Sequence, residues 1–346
     1  MVFPRTTVGD ATLAPAAGRR TSSSRRQLIA LLACSLVAEL LPAAGSSQGG
    51  SWPERIVHML TPTAPGSSVD VAARIFSERL AERWGRPVIV ENRPGADGII
   101  GVQSLLRSTD EHTLLFSFPG VVTVVPLLHD QLPYDASRDL LPIASVADDY
   151  LVIAVNPALA VESLDGLVAV ARTRPRKINW AAAPGAPYLA FLEFQRRAGL
   201  MMAHVPYRSS VLALPDLVDN RIQVMVTPLA SALPLADDGK IKLLAVTPSE
   251  RAPAAPLLPT TMEAGYPELA IEAPLGLFGP RTMSLEVRER IAADVQTLAA
   301  DPAISQRLTS LGMAARASTP SQYAATLAEQ RARWTALARA HGLRPQ

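Results

Sequence analysis

Pro65-Gly66-Ser67-Ser68, followed at once by Val69-Asp70, is the stretch whose residue types point most clearly to binding chemistry. The turn is tight, and two hydroxyls stand where a helix N-cap belongs. Behind it Val69, Ala72, Ala73, Phe76 and Leu80 recur at i, i+3, i+4, i+7 and i+11, one stripe of a 3.6-residue helix. A helix starting here aims its first backbone N–H groups, and the positive end of its dipole, at whatever lies above the turn. Such a terminus holds a small anion without any cationic side chain, gaining about 0.3–1 kcal/mol from the dipole when exposed and up to ~2 kcal/mol when partly buried. The expected chemistry is the gripping of an acid group, with Gly66, Ser67 and Ser68 as contacts. Asp70 has two readings, ligand contact or a structural role fixing the turn through local N–H bonds. An ionised carboxylate repels an anionic ligand, which favours the structural one.

Other candidates follow from where strands are expected to end. Ser117 and Gly120 close a predicted strand on the same edge as the turn. Tyr207 and Arg208 close another further on; a lone Arg is ordinarily a solvated face, but at a strand end it can pair bidentately with a carboxylate. Thr227, after Val226, stands in a similar place, and Arg93 reads as a loop salt bridge. The five histidines, His58, His112, His129, His204 and His341, show no metal-ligand spacing, so no metal or cofactor is expected. His58 and His204 sit in apolar strands and read as core residues. An enzyme needs a nucleophile with its base, or paired carboxylates in a cleft. Past residue 51 there is no Gly-x-Ser-x-Gly elbow, and no Gly-x-x-x-x-Gly-Lys occurs. Pro65-Gly66-Ser67-Ser68 with Asp70 mimics a hydrolase site, but His58 lies in the preceding strand, and catalysis is not expected.

The elements that position these groups require a large chain. At 346 residues, 48% of them hydrophobic, the protein can bury a sizeable core and has room for two domains. Aromatics make up only 5%, so the core is built from Ala, Leu, Val and Ile. Thirty prolines imply many short elements with defined turns. The net charge of +2 belongs to the front: residues 1–47 hold five arginines against Asp10 and Glu39, leaving 28 basic and 29 acidic residues beyond. A near-neutral remainder gives no electrostatic case for nucleic acid.

That front reads as an export signal over residues 1–47. Ser22-Ser23-Ser24-Arg25-Arg26 precedes an apolar stretch from Leu28 to Leu41, and Pro42-Ala43-Ala44-Gly45 offers small residues for cleavage. The stretch is too short for a membrane anchor. Arg25-Arg26 behind a long leader resembles a twin-arginine (Tat) signal, with Sec export as the other option. Cys34, the single cysteine, leaves with this segment, so disulfides and thiolate chemistry are not expected beyond it.

From Ile56 the chain alternates strand and helix. Strands are predicted at Ile56–Leu60, Pro87–Glu91 and Thr113–Phe116, with helices from Val69 and through Ile100 and Leu105. That rhythm implies a parallel sheet whose ligand crevice lies at the strands' carboxyl ends. After a strand at Leu151–Val155, broken by Asn156-Pro157, the rhythm restarts through helices at Leu164–Arg172 and Tyr188–Arg197 and strands at Lys177–Trp180, His204–Tyr207, Ile222–Val226 and Ile241–Val246. Leu275–Phe278 is extended, Ser284 starts a long helix, and Thr319-Pro320-Ser321-Gln322 makes a capping box for the last one. Two α/β lobes joined near Val155 and Phe278 make a hinged, clam-like protein, with lobe 1 as 52–155 plus 278–346, lobe 2 as 156–277, and the ligand between.

The ordered set Trp52-Pro53, Ala64-Pro65-Gly66-Ser67-Ser68-Val69-Asp70, Val90-Glu91-Asn92-Arg93-Pro94-Gly95-Ala96-Asp97-Gly98, Leu132-Pro133-Tyr134-Asp135, His204-Val205-Pro206-Tyr207-Arg208, Leu244-Ala245-Val246-Thr247, Pro259-Thr260 and Glu263-Ala264-Gly265 resembles the extracytoplasmic solute receptors of tripartite tricarboxylate transporters, the Bug receptors. The resemblance covers residues 52 to 343. It implies a two-lobe periplasmic binding protein of type II, or Venus-flytrap, form with a hinge and central cleft. Such a protein is monomeric and cofactor-free, and captures a small carboxylate for membrane permease subunits, or alternatively signals to a sensor kinase. Where the family has Gly-Gly after the turn proline, this chain has Gly66-Ser67. Where it has an aromatic, a Ser/Gly-rich loop and His-Leu, this chain has Trp180-Ala181-Ala182-Ala183-Pro184-Gly185-Ala186-Pro187-Tyr188-Leu189, two residues shorter and without serine or histidine. Side-chain donors are missing there and two prolines remove backbone N–H groups. Ala183 and Gly185 remain as backbone contacts, and the expected ligand has an apolar or aromatic body with one carboxylate, di- and tricarboxylates being the other option.

Overall fold

The computed structural model describes residues 52–108, 110–183, 185–207 and 209–343, so the expected export segment and Arg208 lie outside the described residues. In chain order the elements are β1 Val57–Thr61, α1 Ser68–Trp84, β2 Val88–Asn92, α2 Ile99–Leu106, β3 Thr113–Ser117, the single turns α3 Gly120–Thr123 and α4 Val125–Leu128, and β4 Leu140–Asp149. They continue as β5 Leu151–Val155, α5 Leu164–Thr173, β6 Asn179–Ala182, α6 Ala186–Ala198, β7 Ala203–His204, α7 Ser210–Val218, β8 Val224–Pro228, α8 Leu229–Asp237 and β9 Lys242–Val246. β10 Pro274–Pro280, α9 Leu285–Ala299, α10 Pro302–Ser310, β11 Met313–Ala315 and α11 Pro320–Ala340 complete the chain. Among the described residues no helix is long and apolar enough to cross a membrane.

Local chemistry explains the boundaries that matter for the site. Ser67 caps α1 by accepting from the Asp70 amide, and Gly85 ends the helix in the left-handed conformation at φ 62°. The apolar stripe Val69, Ala72, Ala73, Phe76 and Leu80 is buried, as its period requires. Ser284 caps α9, and Thr319 and Gln322 form the reciprocal capping box at α11.

The strands form two sheets, ordered β11-β4-β10-β3-β1-β2 and β7-β6-β8-β5-β9. β1 pairs β2 and β3 in parallel, as do β6 with β7 and β8. The parallel sheet expected of the first three strands is present, and both sheets become mixed through β10, antiparallel to β3 and β4, and β5, antiparallel to β8 and β9. Because β10 opposes both its neighbours, β3 and β4 run the same way and end on one edge. Leu151–Val155, expected in the first lobe, is a central strand of the five-stranded sheet, and Pro274–Leu277, expected in the second, belongs to the six-stranded one. Backbone pairing decides membership, and periodicity does not report it.

Each sheet has its own core. Phe76, Phe116, Ile143, Leu277 and Ile291 pack on the first; Leu167, Trp180, Phe191 and Phe194 pack on the second, together with Trp334 of α11. Each fully buried side chain of this size contributes about 1.5–3 kcal/mol. The chain crosses between sheets at Asp149–Leu151 and again before Pro274. The two crossings lie side by side, since the Asp149 amide donates to Ala273 O at 3.0 Å and Thr247 N to Leu151 O at 2.9 Å.

Candidate functional site

The β1–α1 turn is held by its own side chains. Ser67 Oγ donates to Thr63 Oγ1 at 2.8 Å and accepts from the Asp70 amide. Asp70, 3% exposed, accepts from the Gly66 amide at 2.9 Å, Asn92 Nδ2 at 2.8 Å and Arg74 Nε at 3.1 Å. Burial pushes its carboxyl up, but the Arg74, Gly66 and Asn92 donors outweigh that and hold it below the usual carboxylate range. A bulkier residue at 101 would break the support behind the turn, because a Cβ on Gly101 would come within 2.7 Å of the Pro62 ring. The Gly66 amide is thus spent on Asp70, and the Ser67 amide on Ala64 O at 3.3 Å. Ser68 and Val69 offer the next two amides, and among the described residues no acceptor meets them.

Sequence reasoning missed the group beside these amides. Ser68 Oγ donates to Asp149 Oδ2 at 2.5 Å; both residues are 5% exposed. Asp149 Oδ1 is buried with no hydrogen-bond partner among the described residues. Burial pushes this carboxyl up to about 7, against the pull of the Ser68 donor. The available signal is Asp148-Asp149 after Ile143–Ala147, an apolar stretch interrupted by Ser145, and it is lost where β4 itself is not foreseen.

Ser117 ends β3, fully buried, with its hydroxyl donating to Phe118 O at 3.2 Å. Gly120 opens α3 beneath the Phe118 ring, which a Cβ there would approach to 2.7 Å. The ends of β1, β3 and β4 share one edge, so Gly66–Asp70, Ser117, Gly120 and Asp149 belong to one side of the six-stranded sheet. Thr227 comes to the crossover from the other sheet. It pairs with Val152, is 1% exposed, and carries a hydroxyl that is partnerless among the described residues. The Leu229 amide just beyond donates to Tyr150 O at 2.7 Å.

Ala183 follows β6, half-buried, and Gly185 precedes α6 at φ +107° with Val124 3.9 Å from where its Cβ would stand. Tyr207 is engaged elsewhere: its hydroxyl donates to Asp216 Oδ2 at 2.5 Å, and burial with that acceptor pushes it up to about 12. His58 and His204 are not core residues. His58 Nδ1 meets Glu91 Oε1 at 2.6 Å on a side chain 42% exposed, and His204 is exposed on the short edge strand β7. Arg93 pairs with Glu91 at 2.7 Å.

Among the described residues no cluster of three or more His, Cys, Asp or Glu could hold a metal. A cavity of about 610 Å³ lies under α11 between Val122, Phe278, Leu327 and Arg331, and one of about 480 Å³ beside Trp180, His204 and His341. Neither is lined by the turn or by Asp149. The unpaired amides stand at the start of α1, whose Ser68 holds Asp149, and the orphan Thr227 hydroxyl lies on β8 of the other sheet.

Two sheets of mixed α/β topology joined by paired crossovers are the fold of two-lobe, type II periplasmic binding proteins. The family model described as "Tripartite tricarboxylate transporter family receptor" matches residues 72–343, and the chain belongs to that family. It is 34% identical over 319 residues, 91% of this chain and 93% of the relative, to a UPF0065 protein of Bordetella bronchiseptica. Among solved structures it resembles R. palustris Rpa4515 with adipate, at TM-score 0.81 and 27% identity over 85% of this chain and all of that one. It also resembles MatC from Rhodopseudomonas palustris with bound malate, at TM-score 0.75 and 26% identity over 83% of this chain and 99% of that one. Family and fold are those of substrate-binding receptors, not enzymes, and members of the family are periplasmic receptors.

Proposed function

We propose that this chain, exported by residues 1–47 through the Tat or Sec route, captures a small carboxylate between its two lobes as a monomer and delivers it to the permease subunits of a tripartite tricarboxylate-type transporter. The observation that carries the reading is the pair of unpaired amides at Ser68 and Val69, at the positive end of a 17-residue helix on the sheet's carboxyl edge. The site comprises Ser68 and Val69 as amide donors, with Gly66, Ser67 and Asp70 shaping the turn. Ser117, Gly120 and Thr227 stand as flanking contacts, and Ala183 and Gly185 as backbone contacts from the opposite lobe. The crossovers at Tyr150 and Ala273 act as the hinge. Adipate and malate, bound by the two structural relatives, belong to the same chemical class. The opposite lobe offers alanine and glycine where side-chain donors would hold a second acid group, which favours an apolar or aromatic body.

Thermal melting against a panel of acids tests this. A ligand at 100 times its Kd adds about 2.7 kcal/mol to stability, an easily read shift. Aromatic monocarboxylates are expected to raise the Tm. A panel in which only citrate or malate does so overturns the assigned ligand body, and one in which no acid acts overturns the function.

A further inference from the structure

We propose that Asp149 sets ligand specificity: it accepts a hydrogen bond from a hydroxyl or ammonium group on the carbon next to the bound carboxylate, so the receptor selects 2-hydroxy or 2-amino acids over plain acids. The inference deepens the carboxylate reading above and rests on it. Ser68 supplies the geometry, because one residue offers both features. Its amide is unpaired for the acid group, and its hydroxyl holds Asp149 Oδ2 at 2.5 Å. A carboxylate seated on the Ser68 and Val69 amides is therefore next to the residue that holds Asp149.

Asp149 is built to receive a donor and has none. It is 5% exposed, and among the described residues its Oδ1 meets no partner and no cation reaches it. The nearby guanidinium of Arg316 is spent on Asp148 at 2.8 Å. An unsatisfied buried acceptor destabilises the free protein, and a ligand donor removes that cost on binding. A plain acid carries no donor there and leaves the oxygen orphaned. Asp149 ends β4 at the Asp149–Leu151 crossover, so a parting of the lobes there is what would admit a ligand to its buried oxygen.

Calorimetric titration of the mature protein with matched probes tests the proposal: mandelate against phenylacetate, phenylalanine against 3-phenylpropanoate, and malate against succinate. The substituted member of at least one pair is expected to bind about tenfold tighter or more. Asp149→Ala should bring the affinity ratio within each pair to about one, and Asp149→Leu, which keeps the bulk but carries no acceptor, serves where the alanine variant does not fold. Equal affinities within every pair, or a preference that survives both substitutions, overturns the role of Asp149 and leaves the carboxylate cleft standing. Failure of all six probes overturns the cleft itself, and this role with it.

Discussion

Ser68 Oγ and Asp149 Oδ2 stand 2.5 Å apart, tying the first turn of α1 to the last residue of β4 across 81 positions of sequence. The bond places a buried acid beside the positive end of a helix, and its titration is written into stability. Burial raises the Asp149 carboxyl to about 7 from an ordinary 3.8. The folded state therefore keeps a proton that the unfolded chain has lost in this range. The stabilisation is fully present below about pH 4 and is lost as pH rises through 7, at up to ~1.4 kcal/mol per pH unit. The groups facing Asp149 are Ser68, which pulls its pKa down, and Asp148, which pushes it up. Urea unfolding between about pH 4.5 and 7.5 should show Asp149→Asn with a flatter slope than wild type. Asp148, raised by burial to about 6 even beside Arg316, adds a slope of the same sign that remains in the variant, and parallel slopes for wild type and Asp149→Asn would refute the assignment.

Asp70 gives a second prediction. Three donors converge on its buried carboxylate, so Asp70→Ala strands the Gly66 amide, Asn92 and Arg74 together. The expected cost is about 2–4 kcal/mol, with acid binding lost as the turn loosens. A variant whose urea midpoint and acid affinity both match wild type would show that the turn holds without this anchor.

The β1–α1 turn is legible because its information is local. Ser67 is an N-cap by type, and the stripe from Val69 to Leu80 has a helical period, so the sequence carries both without help from distant residues. What escapes is long-range. Leu140–Asp149 contains Pro142, Ser145 and two acids, which break the look of a buried strand, yet β10 and β11 flank it and supply its pairing. To miss that strand is to miss Asp149. Tyr207 shows the converse, since its place near a strand end suggests a ligand contact, while Asp216, nine residues on, takes up the hydroxyl. His58 misleads for a related reason: its neighbours Val57 and Met59 are core, but alternation turns the side chain between them outward to Glu91.

Gly66 separates backbone strain from occlusion. Its φ is +79°, yet nothing lies within 4 Å of where a Cβ would stand. Gly66→Ala should therefore cost only the left-handed penalty of about 1–2 kcal/mol. Gly66→Leu should cost a similar amount but fill the open space above the turn and abolish acid binding. Melting curves and titration of the two variants distinguish these effects, and a leucine variant with unchanged affinity would remove Gly66 from the site.

Gly312 is where closure of the two layers can be tested away from the ligand. It precedes β11 of the six-stranded sheet at φ +77°, and a Cβ there would come within 2.8 Å of Ala230 N and 3.1 Å of Ala230 Cα, backbone atoms of α8 beside the five-stranded sheet. Backbone cannot yield as a flexible side chain does, so Gly312→Ala must push the layers apart or strain both. Because no residue of the turn changes, its effect on affinity reports the interlobe contact alone. The expected variant melts slightly lower, binds acids more weakly, and shows a larger radius of gyration by small-angle scattering with ligand present. A Gly312→Ala protein as compact as wild type, with undiminished affinity, would show that closure does not run through this contact.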